Sequence, residues 1–158
     1  MRGKNFYKVL GLNPSNGLPY KVMLVEGMKM TRMILKQILL SERFEVILEA
    51  ENGQDAINLI NNAAVKPDIY LSGIEMERMN GIDAIKVIHP HHPNMKIIMI
   101  TNIQNEDRVK EAIQSGVTGY IVKPYKNNLA GGESFERKEF LSRLAHILDR
   151  DDYPTRYA

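Results

Sequence analysis

Two rhythms of apolar residues alternate along this chain. Short, nearly continuous apolar runs, Lys21 to Val25 (KVMLV), Glu45 to Ala50 (EVILEA), Ile69 to Leu71, Lys96 to Ile100 (KIIMI) and Gly119 to Val122, are each bounded by turn formers. That is the mark of strands buried on both faces. Between them, apolar residues recur at helical spacing. Met28 to Ser41 carries Met30, Ile34, Ile38 and Leu39, with Met33, Leu35 and Leu40 widening the stripe. The segment after Asn52-Gly53 carries Ala56, Ile57, Leu59 and Ile60. Gly81 opens a third helix with Ile82, Ala84, Ile85, Val87 and Ile88, ended by His89-Pro90 and Pro93. Asn105 to Ser115 places Val109, Ala112 and Ile113 on one side before Gly116, and a last helix carries Phe140, Leu141, Leu144, Ile147 and Leu148.

Five strands alternating with five helices predict an α/β, doubly wound, five-stranded parallel sheet in the order 2-1-3-4-5, because right-handed crossovers place helices on both faces. Such sheets bind ligands beyond the carboxyl ends of their strands, at the point where the winding reverses. Here that edge gathers Glu26, Gly27, Gly73, Thr101 and Lys123. The central stretch is Pro67 to Gly81, PDIYLSGIEMERMNG. A chemically active site would place a nucleophile, an acid or a metal ligand at the tip of this strand, yet Gly73 offers only backbone.

At its ends the chain changes character. Residues 1–19 read as an extension, since Asn13-Pro14, Asn16-Gly17 and Pro19 forbid a long regular element, while Phe6, Tyr7, Val9, Leu10 and Leu12 are apolar enough to dock. Residues 20–149 form the domain proper, residues 126–134 read as a loop insertion around Gly131-Gly132, and residues 150–158 as a polar, frayed tail. The 158 residues suit one domain, and 44% hydrophobic with 25% charged residues is ordinary globular usage. Zero cysteines exclude disulfides, thiolate nucleophiles and cysteine-based zinc sites, in keeping with a cytoplasmic location. A net charge of +2 and the lack of any recognition-helix unit or basic run argue against nucleic acid as partner. No apolar run approaches the roughly 20 residues that span a bilayer, and the start lacks the apolar core of a signal peptide.

Taken together, VEGMKMTR, the ENG turn, PDIYLSGIEMERMNG, Thr101 and GYIVKPY resemble the receiver domains of two-component response regulators, of the single-domain chemotaxis type, from about Tyr20 to Leu148. The resemblance implies the flavodoxin-like receiver fold and a phosphorelay site. A working receiver needs a carboxylate nucleophile at the third strand's tip, two acids after the first strand for Mg²⁺, a hydroxyl after the fourth and a lysine after the fifth. Met76, Gly81 and Pro67-Asp68 align the nucleophile's place with Gly73, and Val25 and Arg32 align the acidic pair with Glu26-Gly27. Neither glycine can do the family's chemistry. The resemblance therefore implies a degenerate pocket made of Glu26, Gly27, Gly73, Glu75, Thr101, Asn102 and Lys123, with no catalytic residue, no cofactor and weak or absent Mg²⁺ binding. Asn102, where the family keeps a small residue, is expected to plug the pocket, and Glu77-Arg78 replaces a proline-led turn. Lys123, having lost its usual carboxylate partner, is expected to pair with Glu26 or Glu75.

Thr101 and Tyr120 occupy the places of the family's switch pair, which reshapes the face made by helix four, strand five and helix five. The reading that follows is a pseudo-receiver: not an enzyme, but a phosphorylation-independent protein-interaction module in bacterial signalling. Its partner is an unidentified pathway protein, with a homodimer through that face as a further option. Two alternatives stay open: residual Mg²⁺-dependent phosphotransfer through Glu26 or Glu75, and small-molecule binding in the manner of flavodoxin-like folds. His89, His91 and His92 fit no closed zinc site and read as a solvated loop. The nine methionines read mainly as core filler rather than an adaptable surface.

Overall fold

The computed structural model describes residues 9–102, 106–127 and 133–153. Strands β1 (Lys21–Val25), β2 (Glu45–Ala50), β3 (Ile69–Gly73), β4 (Lys96–Thr101) and β5 (Gly119–Val122) form one parallel sheet in the order β2-β1-β3-β4-β5. Five helices accompany it: α1 (Lys29–Ser41), α2 (Gly53–Asn62), α3 (Gly81–Ile88), α4 (Glu106–Gln114) and α5 (Arg137–Ile147). The period of two along each strand divides the interior into two cores. Val22, Leu24, Ile69, Leu71, Ile98 and Ile100 pack with Leu35 and Leu39 of α1 and Phe140, Leu141 and Leu144 of α5. Met23, Val25, Tyr70, Ile97 and Met99 pack instead with Ile57 and Ile60 of α2, Ile82 and Ile85 of α3, and Ala112 of α4. The central strand β3 is therefore buried along its whole length, which explains why its apolar run is unbroken.

Asparagines start two of the helices. Asn52 Oδ1 accepts the Asp55 N–H at 2.9 Å and Asn80 Oδ1 accepts the Asp83 N–H at 2.9 Å, each satisfying an amide of the first turn. Gly81 is required at the start of α3 because a Cβ there would overlap the Gly73 carbonyl. The helix can thus abut the tip of β3.

Helix α1 buries only part of its apolar stripe. It buries Thr31, Leu35, Ile38 and Leu39, while Met30, Met33 and Leu40 are exposed. At 3.6 residues per turn, Met33 and Leu40 lie roughly 180° around the helix from Thr31, and a polar residue at the middle of the buried face disguises it. Leu59, Val87 and Ile113 are exposed in the same way. The methionines divide accordingly: Met23, Met95 and Met99 fill the core, Met76 and Met79 pack against it, and Met28, Met30 and Met33 face solvent.

The insertion is a hairpin at its base rather than a loop. Strands β6 (Tyr125–Asn127) and β7 (Glu133–Phe135) pair antiparallel, Tyr125 opposite Phe135. The two rings meet edge to face at 5.4 Å, and Phe135 reaches Phe140 of α5 at 5.8 Å, so an aromatic pair closes what the Asn-Gly composition disguises. Gly131-Gly132 lie outside the described residues, as do Phe6 and Tyr7.

Arg150, the first residue of the expected frayed tail, is tied to the segment that precedes β1. Arg150 is only 5% exposed. Its guanidinium donates to the carbonyls of Leu10 and Leu12, both at 2.8 Å, and grips Asp152 through Nε at 2.7 Å and Nη2 at 2.9 Å. Leu10 is fully buried in the α1–α5 core, and Leu12 forms a bridge with Pro19. Tyr153 packs against the same core, and burial pushes its phenol up to about 12. Residues 154–158 lie outside the described part.

Candidate functional site

The parallel register brings the strand tips together. Val25 pairs with Ser72, Gly73 with Ile100 and Thr101 with Val122, so Glu26, Gly73, Thr101 and Lys123 share the carboxyl edge of the sheet. The Lys123 amide donates to the Thr101 carbonyl at 2.7 Å, continuing the ladder one step past β5.

Lys123 turns its side chain inward. Its Nζ lies 3.2 Å from Glu26 Oε1, and the two side chains are 7% and 3% exposed. Of the two partners expected, Glu26 takes the ammonium; Glu75 is more than half exposed and its carboxylate lies 4.0 Å from Arg108 instead. The Glu26 Oε1 also accepts the Met28 N–H at 3.4 Å, at the start of α1, where no side chain caps the helix. A carboxylate at that terminus is favoured by the helix dipole as well as by the ammonium. The Glu26 backbone is fixed too, its amide bonded to the Ala50 carbonyl at 3.0 Å and its carbonyl accepting Arg32 Nη1 at 2.6 Å.

The second oxygen of Glu26 decides how the site reads. Oε2 is buried without a hydrogen-bond partner among the described residues, and a Cβ on Gly73 would stand 2.7 Å from it. The acid borrowed from the first strand thus projects into the place a side chain on β3 would take. Asn102 does not plug the pocket, because its side chain is exposed; Glu26 does. Beside it Gly27 is closely flanked, since a Cβ there would stand 3.3 Å from the Glu51 carbonyl and 3.5 Å from the Met76 side chain.

The donor set does not fit magnesium. The ion takes six oxygens in near-octahedral array and is commonly held through one or two carboxylates. This edge supplies one buried carboxylate, Glu26, and an ammonium already lies against it. Among the described residues no group of three or more His, Asp or Glu side chains could hold a metal ion, His89, His91 and His92 included.

Thr101 is buried, whereas Tyr120 on β5 is 44% exposed and lines a groove of about 570 Å³ with Arg143, His146 and Tyr153. Of the expected switch pair, Thr101 is thus buried and Tyr120 exposed. At the turn between β3 and α3, Arg78 has φ +63°, a left-handed backbone uncommon for a side-chain-bearing residue. Two contacts escaped sequence reasoning, the Met28 amide on Glu26 and the Arg32 grip on its carbonyl, because both depend on how the chain leaves β1. The only available signal was a single acid at the end of an apolar run, immediately followed by glycine.

Comparison with known proteins agrees with this arrangement. Residues 22–130 match the family described as the response regulator receiver domain. The chemotaxis protein CheY of Thermotoga maritima is 41% identical over 106 residues, covering 67% of this chain and 87% of that protein. CheY of Treponema pallidum is 32% identical over 133 residues, covering 84% of this chain and 85% of that one. A chain in the crystal structure of the CheX–CheY–BeF3–Mg+2 complex from Borrelia burgdorferi superposes with a TM-score of 0.77 at 30% identity, covering 89% of this chain and 98% of that one. No helix among the described residues is long and apolar enough to cross a membrane. With the parallel order 2-1-3-4-5, the tips of β1, β3, β4 and β5 at one edge and these relatives, the chain belongs to the response regulator receiver domains, of the chemotaxis type.

Proposed function

We propose that this receiver works as a phosphorylation-independent protein-interaction module in a bacterial two-component pathway of the chemotaxis kind. The observation that carries the reading is the position of Glu26: its carboxylate is paired with Lys123 and fills the space beside Gly73. Phosphoryl transfer onto a receiver needs a carboxylate free to attack and a cation free to neutralise the equatorial oxygens. Here the one buried acid and the one buried ammonium of the edge are spent on each other. Reaction through Glu26 would first have to separate them, at a cost of several kcal/mol per buried ion. Glu75 lies outside the pocket, against Arg108.

The partner in this reading is another protein of the pathway, docking on the face of α4, β5 and α5 around the exposed Tyr120. The Borrelia relative, whose structure is a complex of CheX with CheY, offers a precedent for association with a protein. Incubation with acetyl phosphate and Mg²⁺, followed by intact-mass spectrometry, tests the proposal. The mass is expected to stay unchanged; a phosphoryl group on Glu26 or Glu75 would overturn it.

A further inference from the structure

The opposite edge of the sheet carries a second feature, unrelated to the Glu26 pocket. By strand rise it lies roughly 16 Å away, at the amino ends of β1, β3 and β4. There the turn between α2 and β3, the turn before β4 and the amino-terminal arm enclose a groove of about 520 Å³, lined by Asn13, Tyr20, Lys66, Asp68, His91, His92, Asn94 and Lys96 among others. Two lysines and two imidazoles face one acid. That acid is committed elsewhere, since Asp68 Oδ2 accepts the Lys21 amide at 2.8 Å, and its backbone ties β1 to β4 through Asp68 N–H to Lys21 C=O and Lys96 N–H to Asp68 C=O. Lys66, Lys96, His91 and His92 form no ion pair among the described residues. Lys66 Nζ donates to the Ile60 carbonyl in the last turn of α2, which holds the ammonium in place and leaves it two further protons to donate.

We propose that this groove is a binding site for a small phosphorylated anion carrying two or more charges. Like charges gathered on separate turns, without a counter-ion, repel one another, and a multivalent anion relieves that repulsion at each contact. The lining offers point-charge ammonium groups and imidazole N–H donors, which suit phosphate: it presents three strong acceptor oxygens and up to two charges at one centre, where a carboxylate presents two oxygens and one charge. Burial, and then the neighbouring Lys66 and His91, already hold the His92 imidazolium below its ordinary range. An anion between His92, His91, Lys66 and Lys96 reverses the balance, with Asp68 the one opposing charge. Binding therefore takes up a proton and tightens as pH falls.

Inorganic pyrophosphate is the probe, followed through the imidazole C–H signals of the full chain at constant ionic strength. The expected result is a saturable shift of His91 and His92 with affinity in the millimolar range or tighter, an upward move of the His92 titration midpoint, and weaker binding of citrate. Lys66→Gln and Lys96→Gln, both on exposed or half-exposed side chains, should each weaken binding about tenfold while leaving the thermal transition in place. The inference fails if pyrophosphate gives no saturable shift, if both lysine variants bind as the parent does, or if citrate binds as tightly. None of these outcomes depends on whether Glu26 accepts a phosphoryl group, so this site and the proposed function stand or fall separately.

Discussion

Two buried cations hold opposite ends of this molecule, and they are satisfied to different degrees. Arg150 meets carbonyls of Leu10 and Leu12 and both oxygens of Asp152. Lys123 has one oxygen of Glu26, whose other oxygen is bonded to nothing among the described residues. A fully bonded buried charge is a fastening; an incompletely bonded one marks a place shaped for other chemistry. Burial of the cation alone does not separate the two cases, because the Lys123 and Arg150 side chains are both enclosed. The inventory of remaining hydrogen bonds does.

The sharpest way to break this comparison is to remove Lys123. Lys123→Met leaves a buried carboxylate without its counter-charge, and urea unfolding should show a loss of about 3–5 kcal/mol. Combining it with Glu26→Leu should recover most of that loss, since replacing both partners by apolar groups restores a matched interior. A double variant as unstable as the single one would show that the pair is more than a mutual neutralisation. Arg150→Ala should cost less, about 2–3 kcal/mol, because Asp152 is part-exposed and leaves no fully buried charge unpaired, and the part-buried Leu12 carbonyl can recruit water. Its distinctive readout is proteolysis, with cleavage after the arm near Leu12 appearing before global unfolding.

Most of the architecture was legible in the sequence, and the reason lies in β3. A strand covered on both faces must be apolar at every position, so Ile69 to Leu71 between Pro67 and Gly73 admits few readings. Helix α1 was read less well because its inward face centres on Thr31 and its outward face carries Met30 and Met33; composition by face misleads when a helix also presents an apolar exterior. At the site, Gly73, Glu26 and Lys123 could be placed from strand ends, since topology alone brings them to one edge. What could not be read was which neighbour fills the space beside a glycine: sequence position points to Asn102, and the occupant is Glu26. That outcome depends on a side-chain rotamer and on the Met28 amide, neither of which leaves a trace in residue spacing. The hairpin was missed for a similar reason, Tyr125 and Phe135 being separated in sequence by a stretch rich in Asn and Gly.

Two smaller effects sharpen the comparison. Gly73→Asp should force the Glu26 carboxylate aside and set two acids against one lysine, giving a protein less stable by about 1–3 kcal/mol and still unmodified by acetyl phosphate with Mg²⁺. Rapid phosphorylation of that single variant would mean that the pair yields easily. At the other edge, His92 is held below its unfolded value of 6.5, so the unfolded chain binds the proton first. The contribution is fully present above that value and is lost as pH falls through the folded midpoint. Denaturation midpoints should therefore decline modestly from neutral pH toward the acid side of 6.5, and His92→Gln should flatten that part of the profile.

The contact between Glu26 and the bare backbone of Gly73 also bears on the order in which changes can accumulate. Restoring an acid on β3 first collides with an occupant that has nowhere else to put its charge, whereas shortening Glu26 first strands the lysine. Either single step passes through a less stable chain. Only the paired change, made at both positions at once, avoids that loss.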